Sequence, residues 1–249
     1  MSGVRIPPGV LPIVRRPRHR ASPAPSRRFD VSSAVLSTVS QSSSAGRPPV
    51  LVLVNGPPCA GKSHLTDVLA GSTSLPVLTK DMIKETVYDT AGWADRDWSR
   101  RLGTAAAALL WMFARSLLSQ GQDCLIEANF RAGLAANELA SLTSDLTFTS
   151  AQIFVTAAPS VLAERFRTRA MLRTRHPGHL DAELQHEYSE RNIPQDQLRP
   201  VPGTDLVLTL DTTEINPERH ADHIGMVTHW LKQIGIVCSS DMQSSSTPR

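Results

Sequence analysis

Gly56-Pro57-Pro58-Cys59-Ala60-Gly61-Lys62-Ser63 sets glycine, lysine and hydroxyl at the spacing GxxxxGK[ST], the pattern that wraps phosphate oxygens in backbone N–H groups. Small residues let the backbone approach a β-phosphate, the start of the following helix adds partial positive charge, and Lys62 neutralises β- and γ-oxygens. The Ser63 hydroxyl suits Mg²⁺, and His64 continues the same turn. The competing explanation is a chance Gly-rich turn. The apolar run Val50–Val54 before the loop, and the inward-facing Leu65, Val68 and Leu69 after it, supply the strand and helix that the motif requires. Residues 56–64 are therefore expected to bind ATP or GTP with Mg²⁺.

Phosphate binding alone does not separate a phosphoryl-transfer enzyme from a switch or a mechanical ATPase, so carboxylates and further cations have to decide. The segment Leu78-Thr79-Lys80-Asp81 puts Asp81 at the end of an expected second strand, where parallel-sheet sites form. Asp81 could take the proton of an acceptor hydroxyl, or it could simply cap the next helix. Glu127 ends the apolar run Cys124-Leu125-Ile126 and could hold Mg²⁺ through water or bind the acceptor. Its bland alternative is a surface glutamate. Arg165, Arg169 and Arg173 recur every four residues, one stripe on a helix, able either to close over a triphosphate or to form a solvated basic face.

The elements that must position these groups alternate. Strands are expected at Val50–Val54, Leu75–Leu78, Cys124–Ala128, Thr147–Val155 and Leu206–Leu210. Helices are expected at about 62–70, 82–88, 97–119, 134–142, 159–173, 181–190 and 217–234, the last with Asn216 as N-cap and Pro217 at its first position. Strand–helix alternation implies an α/β fold: a P-loop NTPase with a doubly wound, five-stranded parallel sheet and helices on both faces.

Charge is unevenly placed. Residues 1–48 carry eight arginines against Asp30, a charge of +7, which leaves −4 for the rest of a chain whose total is +3. An acidic body gives no general electrostatic attraction to nucleic acid. The same residues are rich in Pro, Ser and Arg and lack periodicity, so 1–48 and 236–249 are expected to be disordered tails around a domain at 49–235. Prolines from Pro7 to Pro25 break the amphipathic helix that a transit peptide needs. Cys59, Cys124 and Cys238 are too scattered for a disulfide framework, and with no apolar run long enough to span a bilayer the expected location is the cytoplasm.

Weaker signals surround these. Tyr88, Trp93 and Trp98 could stack on a flat acceptor or pack in the body. Arg175-His176-Pro177-Gly178-His179 has the punctuation of a lid turn, and its histidines, like His220 and His223, suit surface or structural roles. Asp211, Thr212 and Thr213 follow the last strand, where a base or ribose could lie. Asn129 and Arg131 flank Glu127.

In their order and spacing, GPPCAGKS, TKDMIKE, CLIEANF, ERFRTRA and VLTLDTT resemble a bacterial family of small ATP-binding P-loop kinases, similar to the kinase domain of polynucleotide kinases, zeta toxins and chloramphenicol phosphotransferase. The resemblance covers about residues 50–235. It implies an adenylate-kinase-like core with an Arg-bearing lid, ATP and Mg²⁺ as cofactors, Asp81 as general base, Lys84 near the acceptor or its phosphate, and Arg165 and Arg169 as lid arginines. Polynucleotide kinases usually carry Arg at the place of Lys84, and loss of that bidentate contact turns the expectation toward a small-molecule acceptor, with a 5′-hydroxyl nucleic-acid end second. A regulatory ATPase is the rival of another class. Its acid strand would end in Asp-Glu, where this chain has Glu127-Ala128.

Overall fold

In the computed structural model the described residues are 46–184, 188 and 192–238. The expected tails fall almost wholly outside them, as do most residues of the second half of the helix expected at 181–190. The strands are β1 (Val50–Asn55), β2 (Val77–Thr79), β3 (Cys124–Glu127), β4 (Thr149–Thr156) and β5 (Leu206–Asp211). They form one sheet in the order β2-β3-β1-β4-β5, every neighbouring pair parallel. The helices are α1 (Lys62–Ser72), α2 (Lys80–Ala91), α3 (Arg96–Leu118), α4 (Ala132–Asp145), α5 (Pro159–Leu172), α6 (Asp181–Leu184) and α7 (Pro217–Gln233). The five expected parallel strands are all present.

Side-chain alternation along β1 divides the core. Val50, Val52 and Val54 face one side with Leu65 and Leu69 of α1, Leu162 of α5, and Val227 and Leu231 of α7. Leu51 and Leu53 face the other with Leu110, Trp111 and Ala114 of α3 and Leu139 and Leu142 of α4. Burial on both faces makes β1 a continuous apolar run rather than an alternating one, and each such side chain contributes about 1.5–3 kcal/mol.

Several boundaries move, for local reasons. The second strand lies at Val77–Thr79 rather than 75–78 because Pro76 has no N–H, and its carbonyl instead accepts from Leu125 N–H at 2.9 Å. Helix α2 starts at Lys80 because Thr79 is its N-cap, the hydroxyl accepting from Met82 N–H at 3.0 Å. Asp81 therefore does not cap the helix. Helix α5 stops at Leu172, where Arg173 turns to the left-handed region at φ 49°. The cap of α7 is as expected, with Asn216 accepting from Arg219 N–H.

The ends of the described body reach slightly beyond 49–235. The Arg47 guanidinium donates to both Asp123 oxygens at 2.9 and 2.5 Å and to the Gly235 carbonyl at 3.0 Å. Ile236 and Cys238 are buried, and Cys238 bridges to Thr73.

Candidate active site

Strand register brings the chemistry to one edge. Glu127 pairs with Val54 on β1 and with Thr79 on β2, so the phosphate loop, Glu127 and the start of α2 meet at the C-terminal end of the sheet. Strand β1 lies between β3 and β4 although β2 follows it in sequence, which opens the crevice where ligands of α/β sheets bind.

The loop from Gly56 to Ser63 has the backbone that its residue types permit. Gly56 has φ 146°, and a Cβ there would lie 1.9 Å from the Val155 carbonyl oxygen, so β4 leaves no room for a side chain. Cys59 and Gly61 also have positive φ, at 66° and 97°. Lys62 is buried and donates to the Pro57 carbonyl at 2.8 Å, folding over the loop. Burial pushes its ammonium below the usual lysine range, and Glu127 and Asp81 oppose that shift. Pro58 lines the cavity and accepts from the Tyr188 hydroxyl at 3.2 Å, while Ala60 is fully buried.

A cavity of about 850 Å³ opens over this loop. Lys62, Ser63, His64, Asp81, Glu127, Arg165 and Arg169 all line it, so the structure brings together the loop, both carboxylates and two of the stripe arginines. Glu127 is 5 % exposed and lies within β3, not on the surface. Burial raises its carboxyl, with Lys62 and a hydrogen bond from Ser63 acting against the shift. A buried carboxylate joined to the loop hydroxyl is a donor set that fits Mg²⁺. Arg165 donates to the Thr212 hydroxyl at 3.1 Å and carbonyl at 2.6 Å. Arg169 Nε lies 2.8 Å from Asp181 Oδ2 as an ion pair, but among the described residues neither that Nε nor the buried Nη2 has a hydrogen-bond partner. Arg173 is exposed and drops out of the stripe.

Its place is taken by Arg175, which was not among the expected site residues. The Arg175 guanidinium pairs with Asp81 and lies 3.4 Å from Asp181. Burial would raise the Asp81 carboxyl, but Arg175, His179 and Lys62 outweigh it and hold Asp81 below the usual carboxylate range. Asp81 and Arg175 are 94 residues apart, and no periodicity signals such a contact. Lys80, also unforeseen, lines the same cavity, whereas Lys84 is not on its wall and donates to Ser99 Oγ at 3.1 Å.

The neighbouring turn is structural. His179 is buried, bonds Glu85 at 2.8 Å and meets Tyr88 edge-on, and burial with Arg175 nearby lowers it to about 3. His176 stacks on Tyr88 with ring centroids 5.1 Å apart. Gly178 fits because a Cβ would meet the Tyr88 ring at 2.7 Å. Tyr88 is thus a packing residue, 2 % exposed, while Trp93 remains half exposed. Arg131 pairs with Asp196 at 2.8 Å, and Asn129 reaches the cavity wall.

A second cavity of about 230 Å³ adjoins the loop and shares Cys59, Gly61, His64 and Arg165 with the first, with Leu65, Val155, Leu210, Ile215 and Ile224 among its walls. Thr212 lines it, and its hydroxyl lies 3.0 Å from both the Ala60 and the Thr156 carbonyls, sharing one proton between them and tying the end of β5 to the phosphate loop. His64 and His220 close the rim, their Nε2 atoms 2.8 Å apart.

A 2-3-1-4-5 parallel sheet with this loop between β1 and α1 defines a P-loop nucleotide-binding protein of small-kinase architecture. The chain belongs to the AAA domain family, whose model matches residues 51–186. It is 34 % identical to a “putative kinase” of Chloroflexus aurantiacus J-10-fl, over 75 % of this chain and 98 % of that one, with a TM-score of 0.63. APE1195 is 21 % identical over 76 % of this chain and 97 % of its own, at a TM-score of 0.50, a likeness of fold. No curated protein matches the chain. Among the described residues no helix is long and apolar enough to cross a membrane.

Proposed function

We propose that this protein transfers the γ-phosphoryl group of ATP to a hydroxyl of a small molecule. The observation that carries the proposal is the convergence of Lys62, Glu127, Asp81 and the lid arginines Arg165 and Arg169 on one cavity. A bare nucleotide switch has no use for a second, ionised carboxylate facing the phosphates.

In this mechanism Lys62 neutralises β- and γ-oxygens, and the loop N–H groups fix the β-phosphate. Ser63 and Glu127 would hold Mg²⁺, which supplies charge neutralisation between the phosphates. Arg169, on the cavity wall, meets charge developing on the transferred group. As the acceptor oxygen bonds Pγ and the bond from Pγ to the ADP oxygen breaks, Asp81 takes the hydroxyl proton. Arg175 has to give up its hold on Asp81 for that proton to arrive. The base of the nucleotide occupies the second cavity, against Leu65, Leu210, Ile215 and Ile224. Among the described residues no carboxylate lines that cavity to accept the N–H groups of guanine, which favours ATP.

The test is transfer from γ-labelled ATP to a panel of hydroxyl compounds and a 5′-hydroxyl oligonucleotide, with Lys62→Ala alongside. Label moves to a small molecule, and Lys62→Ala loses at least about 100-fold in rate. Release of labelled phosphate with no acceptor labelled would overturn the proposal in favour of a regulatory ATPase.

A further inference from the structure

Four charged groups alternate in sign between α2 and α5: Asp81, Arg175, Asp181 and Arg169. The Arg175 guanidinium pairs with Asp81 through Nη2 and reaches Asp181 through Nη1 at 3.4 Å, while the other Asp181 oxygen lies 2.8 Å from Arg169 Nε. Asp81, Arg175 and Arg169 line the phosphate cavity, whereas Asp181 stands behind them with its side chain 12 % exposed. Both contacts of Asp181 are imperfect. The one from Arg175 is long, and among the described residues neither Arg169 Nε nor Asp181 Oδ2 has a hydrogen bond, close as they are. The turn that carries Arg175 runs between Arg173 and Leu180, both in the left-handed region at φ 49° and 59°, a conformation that side chains disfavour.

In this arrangement the two groups that must act on the reactants are both engaged, Asp81 by Arg175 and Arg169 by Asp181. Pulling either pair apart by itself would leave a partly buried charge without a partner. Moving every partner one place along the chain leaves none. A triphosphate supplies the displacement: its γ-oxygens draw Arg169 off Asp181, Asp181 then takes Arg175 on both oxygens, and Asp81 is released. We infer that Asp181 is a positioning residue that exchanges Arg169 for Arg175 when ATP binds, so that the nucleotide itself unlocks the base. The inference rests on the phosphotransferase reading above and adds an order of events to it. Without nucleotide Asp81 is covered, and with nucleotide its carboxylate faces the acceptor hydroxyl. Departure of Arg175 also lets burial raise the Asp81 carboxyl, which makes it the better proton acceptor. A network that merely braced the turn would keep its pairs whatever the cavity held.

Crystals of the protein without nucleotide, and with Mg²⁺ and a non-hydrolysable ATP analogue, test the exchange directly. The expected complex has Arg169 on the γ-phosphate, Arg175 on both oxygens of Asp181, and Asp81 without an arginine. Arg175 still on Asp81 in that complex, or Arg169 still on Asp181, overturns the exchange. Transfer from γ-labelled ATP to an acceptor that wild type labels then separates positioning from bracing. Asp181→Asn leaves Arg175 no second carboxylate, so kcat falls at least about tenfold while KM for ATP holds within about threefold. In the Arg175→Met background, where no arginine covers Asp81, Asp181→Asn changes kcat by less than about twofold, and that non-additivity is the signature of the exchange. Asp181→Asn without effect in the otherwise wild-type chain, or with the same loss in both backgrounds, overturns it. Should circular dichroism show that Asp181→Asn does not fold, the crystals alone decide. If wild type labels no acceptor, the phosphotransferase reading fails, and the crystals still decide whether Asp181 changes partners.

Discussion

At the scale of single residues, the pair Asp81–Arg175 sets the state of the proposed base. Arg175 holds the Asp81 carboxyl low against the opposing effect of burial. The sign of the pH dependence follows. A depressed carboxyl contributes stability that is present above its unfolded value of about 4 and is lost as pH falls through the folded one. Arg175→Met removes the main opposing charge, so burial dominates and the carboxyl rises. The acid limb of kcat/KM is expected to move to higher pH, and the added stability above about pH 4 to disappear, as pH–rate profiles and unfolding at several pH values would record. The loop residues and Glu127 were legible from type and spacing, because a phosphate cradle imposes both. Arg175 and Lys80 were not. Arg175 faces the cavity because α5 ends at Leu172 and the chain turns at Arg173, and nothing local encodes that direction. Of the three stripe arginines, Arg165 and Arg169 line the cavity, and Arg173, where the helix itself stops, does not.

At the scale of elements, the order of strands and helices could be read because apolar runs and amphipathic periods alternate cleanly. Their ends depended on single atoms: the missing N–H of Pro76 displaced β2, and the Thr79 hydroxyl claimed the cap of α2. Helix α3 carries a glycine, Gly103, inside its alanine-rich run. Alanine at position 103 would meet the lysines only at ordinary contact distance, 3.8 Å or more. Gly103→Ala is therefore expected to stabilise the protein by about 0.5–1 kcal/mol, visible as a higher urea midpoint at unchanged slope. Destabilisation of that size would show that the lysine stems leave no room for a methyl group.

At the scale of the whole molecule, the body is closed by its ends. We propose that the folded unit runs from about Arg47 to Cys238 rather than 49–235, since Arg47 clasps Asp123 and Gly235 while Ile236 is buried. A chain of residues 46–238 is expected to match the full chain in denaturant midpoint. One of 49–235 should lose about 3 kcal/mol or more, through the unpaired Asp123 carboxylate and the missing Ile236 side chain. Equal midpoints for the two shortened chains would refute those limits.

The central claim is that Asp81 serves phosphoryl transfer and not merely the architecture of the lid. It is tested most directly by single-turnover transfer from γ-labelled ATP in Asp81→Asn, with ATP affinity measured in the same preparation. The account predicts that ATP still binds within a few-fold of wild type while transfer falls by at least about 100-fold. Transfer at the wild-type rate by a folded Asp81→Asn would contradict it.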